Sequence, residues 1–190
     1  ETTHHSRLGD VVKTTSGGTP SRKRPDYFRG DIPWVKSGEV GQGLVLDTEE
    51  RISAEAVANS SAKIMPPGTV LVAMYGATVG QVGELGIEAA TNQAVCCIQP
   101  SEDMLGAFLK GLLGVRKPFL LQQSVGGAQP NVSQTIIRDM KVPVPPALDQ
   151  KHYADRVSCV GRELKRHRSN AKQIDVLFAS LQQRAFRGDL

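Results

Sequence analysis

Residues Asp149–Arg187, DQKHYADRVSCVGRELKRHRSNAKQIDVLFASLQQRAFR, place a seam at Tyr153, Val157, Val160, Leu164, His167, Ala171, Ile174, Phe178, Leu181 and Ala185. The spacing alternates four and three without a slip, which is the a/d pattern of a coiled-coil helix. No proline interrupts it, and Gly161 is the one weak helix former. At about 1.5 Å per residue the segment predicts a rod on the order of 50 Å. That exceeds the last helix of a compact domain and reads as a spacer or dimerisation arm. His167 and Ala171 weaken the centre of the seam, which favours packing against a specific partner over a freestanding zipper.

Ahead of this helix stand Pro143, Pro145 and Pro146, so a boundary is expected there, with a globular part over 1–146 and the helix over 147–190. A 190-residue chain suits one domain plus an appendage. The net charge is +4, and the nine basic and five acidic residues of the segment from Asp149 onward account for all of it. The remainder is neutral in sum but blocked: Arg7–Lys36 holds seven basic and three acidic residues, Glu39–Glu55 five acidic and one basic. Such blocks give either a face that attracts a polyanion or a solvated surface.

Cys96 and Cys97 are adjacent and Cys159 is distant, which makes neither a disulfide framework nor a metal spacing. Reduced thiols and a cytoplasmic setting are expected. No apolar run is long enough for a bilayer, and no signal-peptide pattern opens the chain.

The globular part reads as short strands separated by turns. Arg7–Thr15 leads into the loop Ser16-Gly17-Gly18-Thr19-Pro20-Ser21, whose glycine N–H groups are candidates to face an anion. Ile32–Lys36 is an expected edge strand because of Pro33. Trp34 within it reads as a packing residue ahead of a base-stacking one. Leu44–Ile52 alternates as a strand, and Ser53 caps a short helix. Thr69–Met74, Gln81–Leu85 and Val95–Ile98 are further strands, the last of central character. Asn92 and Gln93 precede it, either satisfying turn backbone or free to pair with an adenine edge. Met104–Leu121 is helical and broken by Pro118. Ser124–Ser133 is a polar loop, Ser133 caps a helix to Met140, and Lys141–Val144 is a last edge strand.

Nothing in this series supplies catalysis. His4 and His5 sit at the terminus, His152 and His167 in the long helix, and none has a metal-ligand neighbour at the right spacing. Gly76 and Gly80 lack the Gly-Lys-Ser/Thr ending of a phosphate loop, and nucleophile elbows and dinucleotide fingerprints are missing. No acidic pair followed by lysine argues for a nuclease, and no Asn/Asp-Pro-Pro-aromatic motif for a methyltransferase. A binding module without cofactor or metal is the expectation.

Six segments then occur in order: Leu8-Gly9-Asp10-Val11, Ser16–Ser21, Gly30–Gly38, Tyr75–Gly80, Ala90–Ala94 and Gln129–Ser133. Together they resemble the target-recognition domain of specificity subunits from type I restriction-modification enzymes. Pro143–Pro146, the heptad helix and Ala185–Leu190 are similar to that family's conserved helical region. One departure is Ala147-Leu148-Asp149-Gln150, where family members usually carry Pro-Glu-Gln. Another is extent: a full subunit has two recognition domains and two helices, whereas this chain has one of each, as expected of half a subunit or a piece of a longer one.

The resemblance implies an α+β, β-rich recognition domain followed by a long coiled-coil helix. It implies a non-catalytic subunit that binds double-stranded DNA and reads one half of a bipartite target. Its implied partners are the methyltransferase subunit and, in the full complex, the restriction subunit. Pairing as a homodimer or with a second half-subunit would run through the seam residues Tyr153, Val157, Val160, Leu164, Ile174, Phe178 and Leu181. The residues matching the motifs and able to point at a duplex are Thr19, Arg22, Lys23, Arg24, Lys36, Ser37, Tyr75, Thr78, Gln93, Gln129 and Asn131. The alternative reading is a protein-assembly module acting through its helix, with no direct DNA reading.

Overall fold

Two uninterrupted apolar runs organise the core of the computed structural model, which describes residues 2–124 and 130–189. They form β7 (Val70–Ala73) and β10 (Val95–Gln99), paired antiparallel. Because strand side chains alternate, Val70, Val72, Cys96 and Ile98 enter one hydrophobic cluster while Leu71, Ala73, Val95 and Cys97 enter another on the opposite face. A strand buried on both faces reads as a continuous apolar run, which is why neither segment alternates in sequence. Cys96 and Cys97 consequently point to opposite faces, and burial raises both thiols, Cys97 to about 11.

Around this pair, β1 (His4–Arg7), α1 (Leu8–Val11) and β2 (Lys13–Ser16) open the chain, followed by β3 (Ile32–Val35), β4 (Leu44–Val45), β5 (Glu50–Ile52), α2 (Ala54–Ala58) and β6 (Ile64–Met65). Then come β8 (Val82–Leu85), β9 (Ala89–Thr91), α3 (Gly106–Val115), α4 (Lys117–Gln122), α5 (Gln134–Asp139), β11 (Lys141–Val144) and α6 (Ala147–Arg187). The strands form a five-stranded sheet β2-β10-β7-β8-β4, a four-stranded sheet β5-β3-β9-β6 and the two-stranded β1-β11. Pairing is antiparallel except between β3 and β9 and between β4 and β8, so the fold is α+β with mixed sheets and a long last helix.

The expected caps are present. Ser53 Oγ accepts from the Ala56 N–H at 3.2 Å, and Ser133 Oγ accepts from Ile136 N–H at 3.2 Å. Arg116 ends α3, and Pro118 stands in the first turn of α4, where its missing N–H costs nothing.

Two of the strand expectations fail. β3 is internal, not an edge, with β5 on one side and β9 on the other. Trp34 N–H donates to Thr48 Oγ1 on the β5 side at 3.2 Å, so alternation turns the Pro33 nitrogen toward β9, where pairing begins only at Trp34. The proline therefore removes no ladder bond. Leu44–Ile52 is not one strand but β4 and β5, separated by a turn. There Thr48 Oγ1 donates to the Glu50 carbonyl at 2.7 Å and Glu49 N–H donates to the buried Glu39 carboxylate at 2.9 Å.

The chain falls into two units, Glu1–Gln150 and Lys151–Leu190. In the first, Gln150 at the start of α6 is fully buried and uses its whole amide. Its Oε1 accepts from Leu105 N–H, and its Nε2 donates to the carbonyls of Asp103 and Pro145, each at 2.8 Å. The second unit is helix through Arg187, about 1.5 Å per residue. Its seam is uncovered: Val160 is 58% exposed, Ile174 65% and Phe178 60%.

Candidate nucleic-acid interface

Strand polarity gathers four loops at adjoining strand ends of the two larger sheets, and the segment 130–132 joins them. The C-terminal ends of β2, β3, β7 and β9 and the start of β10 all lie there, as their registers require. Direct hydrogen bonds join the loops into a rim. Gly18 N–H donates to Thr91 C=O at 2.9 Å, Asn92 N–H to Val35 C=O at 2.9 Å, and Met74 N–H to Ala94 C=O at 2.8 Å. Gly76 N–H donates to Pro130 C=O and Val132 N–H to Met74 C=O, both at 2.9 Å, bracketing a bridge between Tyr75 and Asn131. Gly76 and Gly80 have φ of 70° and 74°, the left-handed conformation that this tight turn needs and that glycine adopts freely.

On the rim, Thr19 Oγ1 donates to Gln93 Oε1, leaving the exposed Gln93 amide NH2 available to an incoming acceptor. Tyr75 is 41% exposed, Asn131 is exposed, and Thr78 Oγ1 turns back to the Tyr75 carbonyl at 3.2 Å. Ser37 begins the 3-10 turn Ser37–Gln42, half-buried beside Lys36. Asn92 serves its turn instead, its Oδ1 accepting from Ala94 N–H at 3.1 Å. Gln129 lies outside the described residues. The glycine N–H groups are not free for an anion: Gly17 donates to Val95 C=O at 3.2 Å as Gly18 does to Thr91. These glycines are there for close approach, since a Cβ on Gly17 would stand 2.2 Å from the Thr91 carbonyl oxygen and one on Gly18 2.3 Å from Ala62 N.

The blocked charges resolve into pairs across the two runs. Arg22 grips Glu50 with two bonds of 2.7 and 3.2 Å, while its guanidinium lies 4.0 Å over Phe28 and 5.3 Å from the buried Trp34 ring. Lys36 Nζ pairs with Glu49 at 2.7 Å and Glu50 at 3.2 Å. Arg24 pairs with Asp26 at 2.6 Å and Glu55 at 3.2 Å and stacks on Tyr27. The Arg22 hydrogen bonds hold the Glu50 carboxyl below the ordinary carboxylate range, and those of Arg24 do the same for Asp26. Lys23 is exposed and in no ion pair among the described residues. Glu50, which organises two of the cations, did not stand out in the sequence, although an acidic run following a basic one was the available signal. Trp34 is packed, its Nε1–H donating to Gly18 C=O at 3.0 Å.

Among the described residues no helix is long and apolar enough to cross a membrane. The family model "Type I restriction modification DNA specificity domain" matches residues 1–172. The chain is 27% identical over 154 residues to the EcoR124I/EcoR124II type I restriction enzyme specificity subunit of Escherichia coli, covering 78% of this chain and 38% of that one. It is 27% identical over 157 residues to the MjaIX specificity subunit of Methanocaldococcus jannaschii, covering 80% and 36%. Among solved structures, the HsdS subunit from Thermoanaerobacter tengcongensis superimposes with a TM-score of 0.70 at 17% identity, over 99% of this chain and 45% of that one. A chain from a study of assembly and conformational transition of the type I R-M system gives 0.73 at 20%, over 99% and 46%. The chain thus spans less than half the length of these relatives. A match over residues 1–172 covers the rim and most of the long helix together, and on it the chain belongs to the type I restriction-modification DNA specificity domain family.

Proposed function

We propose that the chain is a non-catalytic reader of one half of a bipartite DNA target, acting in the cytoplasm, with residues 1–146 as its recognition domain and 147–190 as a spacer helix. The observation that carries this is the single rim on which Thr19, Gln93, Tyr75 and Asn131 present polar groups from loops far apart in sequence. In this reading Gln93 and Asn131 offer amides to base edges, each worth about 1–3 kcal/mol of selection. Lys23 supplies phosphate contact. Arg22, Arg24 and Lys36 chiefly hold the rim, because a phosphate would first have to displace their carboxylates. Methyltransferase subunits, and through them restriction subunits, are the proposed partners of the assembled protein.

Selection from a randomised duplex pool tests the role, with the cognate methyltransferase subunit added. Wild type is expected to enrich one half-site. Asn131→Ala should relax a single base position, and Lys23→Ala should weaken every sequence alike and lower the salt slope by about one. A pool that shows no enrichment removes the reading.

The uncovered seam supports a second proposed property, pairing through the helix with another copy or a second half-subunit. Light scattering of the chain at micromolar concentration is expected to give a dimer that Ile174→Asp converts to monomer. If the wild type is a monomer, self-pairing is excluded and a different half becomes the required partner.

A further inference from the structure

The face of α6 opposite the seam carries a charge pattern that helix pairing does not use. With Val157, Leu164, Ala171 and Phe178 at a positions, Arg162 falls at f, Lys165 and Lys172 at b and Arg166 at c, while Arg168 flanks them at e. A partner helix covers a, d, e and g, so b, c and f remain in water. All five cations are exposed, and from Leu164 to Ile174 there is no acidic residue. The pairs 162/165, 162/166, 165/168 and 168/172 are like-charged at three- and four-residue spacing, an arrangement that weakens a helix. An exposed helix needing only solubility would instead mix signs, as Lys151 and Asp155 do one turn apart. Local compensation is slight: Arg166 pairs with Glu163 at 2.9 Å and Arg162 donates to Ser158 Oγ at 2.8 Å. Lys165, Arg168 and Lys172 are in no ion pair among the described residues.

We infer that Arg162, Lys165 and Lys172, flanked by the paired Arg166, form a sequence-independent binding stripe for the phosphate backbone of duplex DNA. Ten residues of helix span about 15 Å, the rise of roughly four base pairs, so one strand offers several phosphates along that length. The choice of DNA as the polyanion rests on the reading proposed above. The stripe adds affinity without base selection, which separates its task from that of the rim.

The test compares two charge-matched double variants of the full chain, Lys165→Gln/Lys172→Gln on the stripe and Arg184→Gln/Arg187→Gln beyond it. Glutamine keeps helix propensity, and circular dichroism checks that α6 persists. Binding to a random-sequence duplex is measured against salt. The stripe variant is expected to lose about tenfold in affinity near 100 mM salt and to lower the salt slope by about 1–2, with the control unchanged. Equal losses in both variants would reduce the effect to net charge and overturn the inference. An unchanged slope would overturn it too, leaving the stripe to an acidic protein surface. Pool enrichment measured alongside keeps the two ideas apart. Enrichment without a stripe effect sinks only the stripe, and a stripe effect without enrichment sinks only base reading.

Discussion

Gln150→Leu is expected to lower the stability of the globular unit by about 3 kcal/mol, because it strands the Leu105 N–H and the Asp103 and Pro145 carbonyls in a fully buried site. For a unit of this size that is a fall of roughly 6–12 °C in melting temperature. Leucine is similar in bulk and helix propensity, so the loss would report hydrogen bonding and not packing. Gln150→Glu sharpens the assignment. Its carboxylate can still accept from Leu105 but faces two carbonyls, and burial would raise its pKa. A raised acid pKa means that the folded state binds the extra proton, so the deficit relative to wild type should narrow as pH falls. Thermal unfolding at several pH values checks both variants. A leucine variant melting with wild type would show that the helix start is not held this way.

Gly17→Ala is expected to do comparable or greater damage, at least about 3 kcal/mol, by a different route. Its new methyl would meet the Thr91 carbonyl and hydroxyl at 2.2 Å and the Asn92 carbonyl at 2.3 Å. None of these is the yielding end of a long side chain. Thr91 is fully buried with its Oγ1 3.2 Å from Cys97 Sγ, and both strands beneath are paired. The strain must therefore separate the Ser16–Ser21 loop from β9, and Thr19 would leave Gln93. Enrichment of a half-site is expected to vanish with it. Gly38→Ala is the control, with nothing within 4 Å of its added methyl, and should be near neutral. Denaturant unfolding of the two variants decides the point, and equal midpoints would refute the argument.

Much of the architecture follows from local pattern. The long helix was legible because a four-three apolar rhythm without proline has one cheap conformation, and α6 runs Ala147–Arg187 as that rhythm requires. Ser53 and Ser133 were legible as caps for the same reason: a hydroxyl bonding a backbone N–H three residues on is a local event. β3 departs from the edge placement that Pro33 predicts because a proline nitrogen harms a sheet only on the side where a partner waits, and which side that is depends on β5 and β9. The glycine N–H groups, candidates to face an anion by sequence, are engaged instead, because nothing near them in sequence announces that Thr91 and Val95 will accept from them. At the candidate interface, residue types were visible but their engagements were not. Arg22 and Glu50 are 28 positions apart, and they meet only because Glu50 pairs opposite Trp34, near whose ring the Arg22 guanidinium lies.

The sequence alone established the heptad helix, its neutral body with opposed charge blocks, and the ordered motifs that mark the family, since each depends on spacing along the chain. The folded structure was needed to show that strand polarity brings Thr19, Gln93, Tyr75 and Asn131 to one rim, that three of the four nearby cations are already neutralised, and that Gln150 is the buried anchor of the helix. Those facts are long-range contacts, set by which strands pair and in what register, and side-chain periodicity carries no record of them.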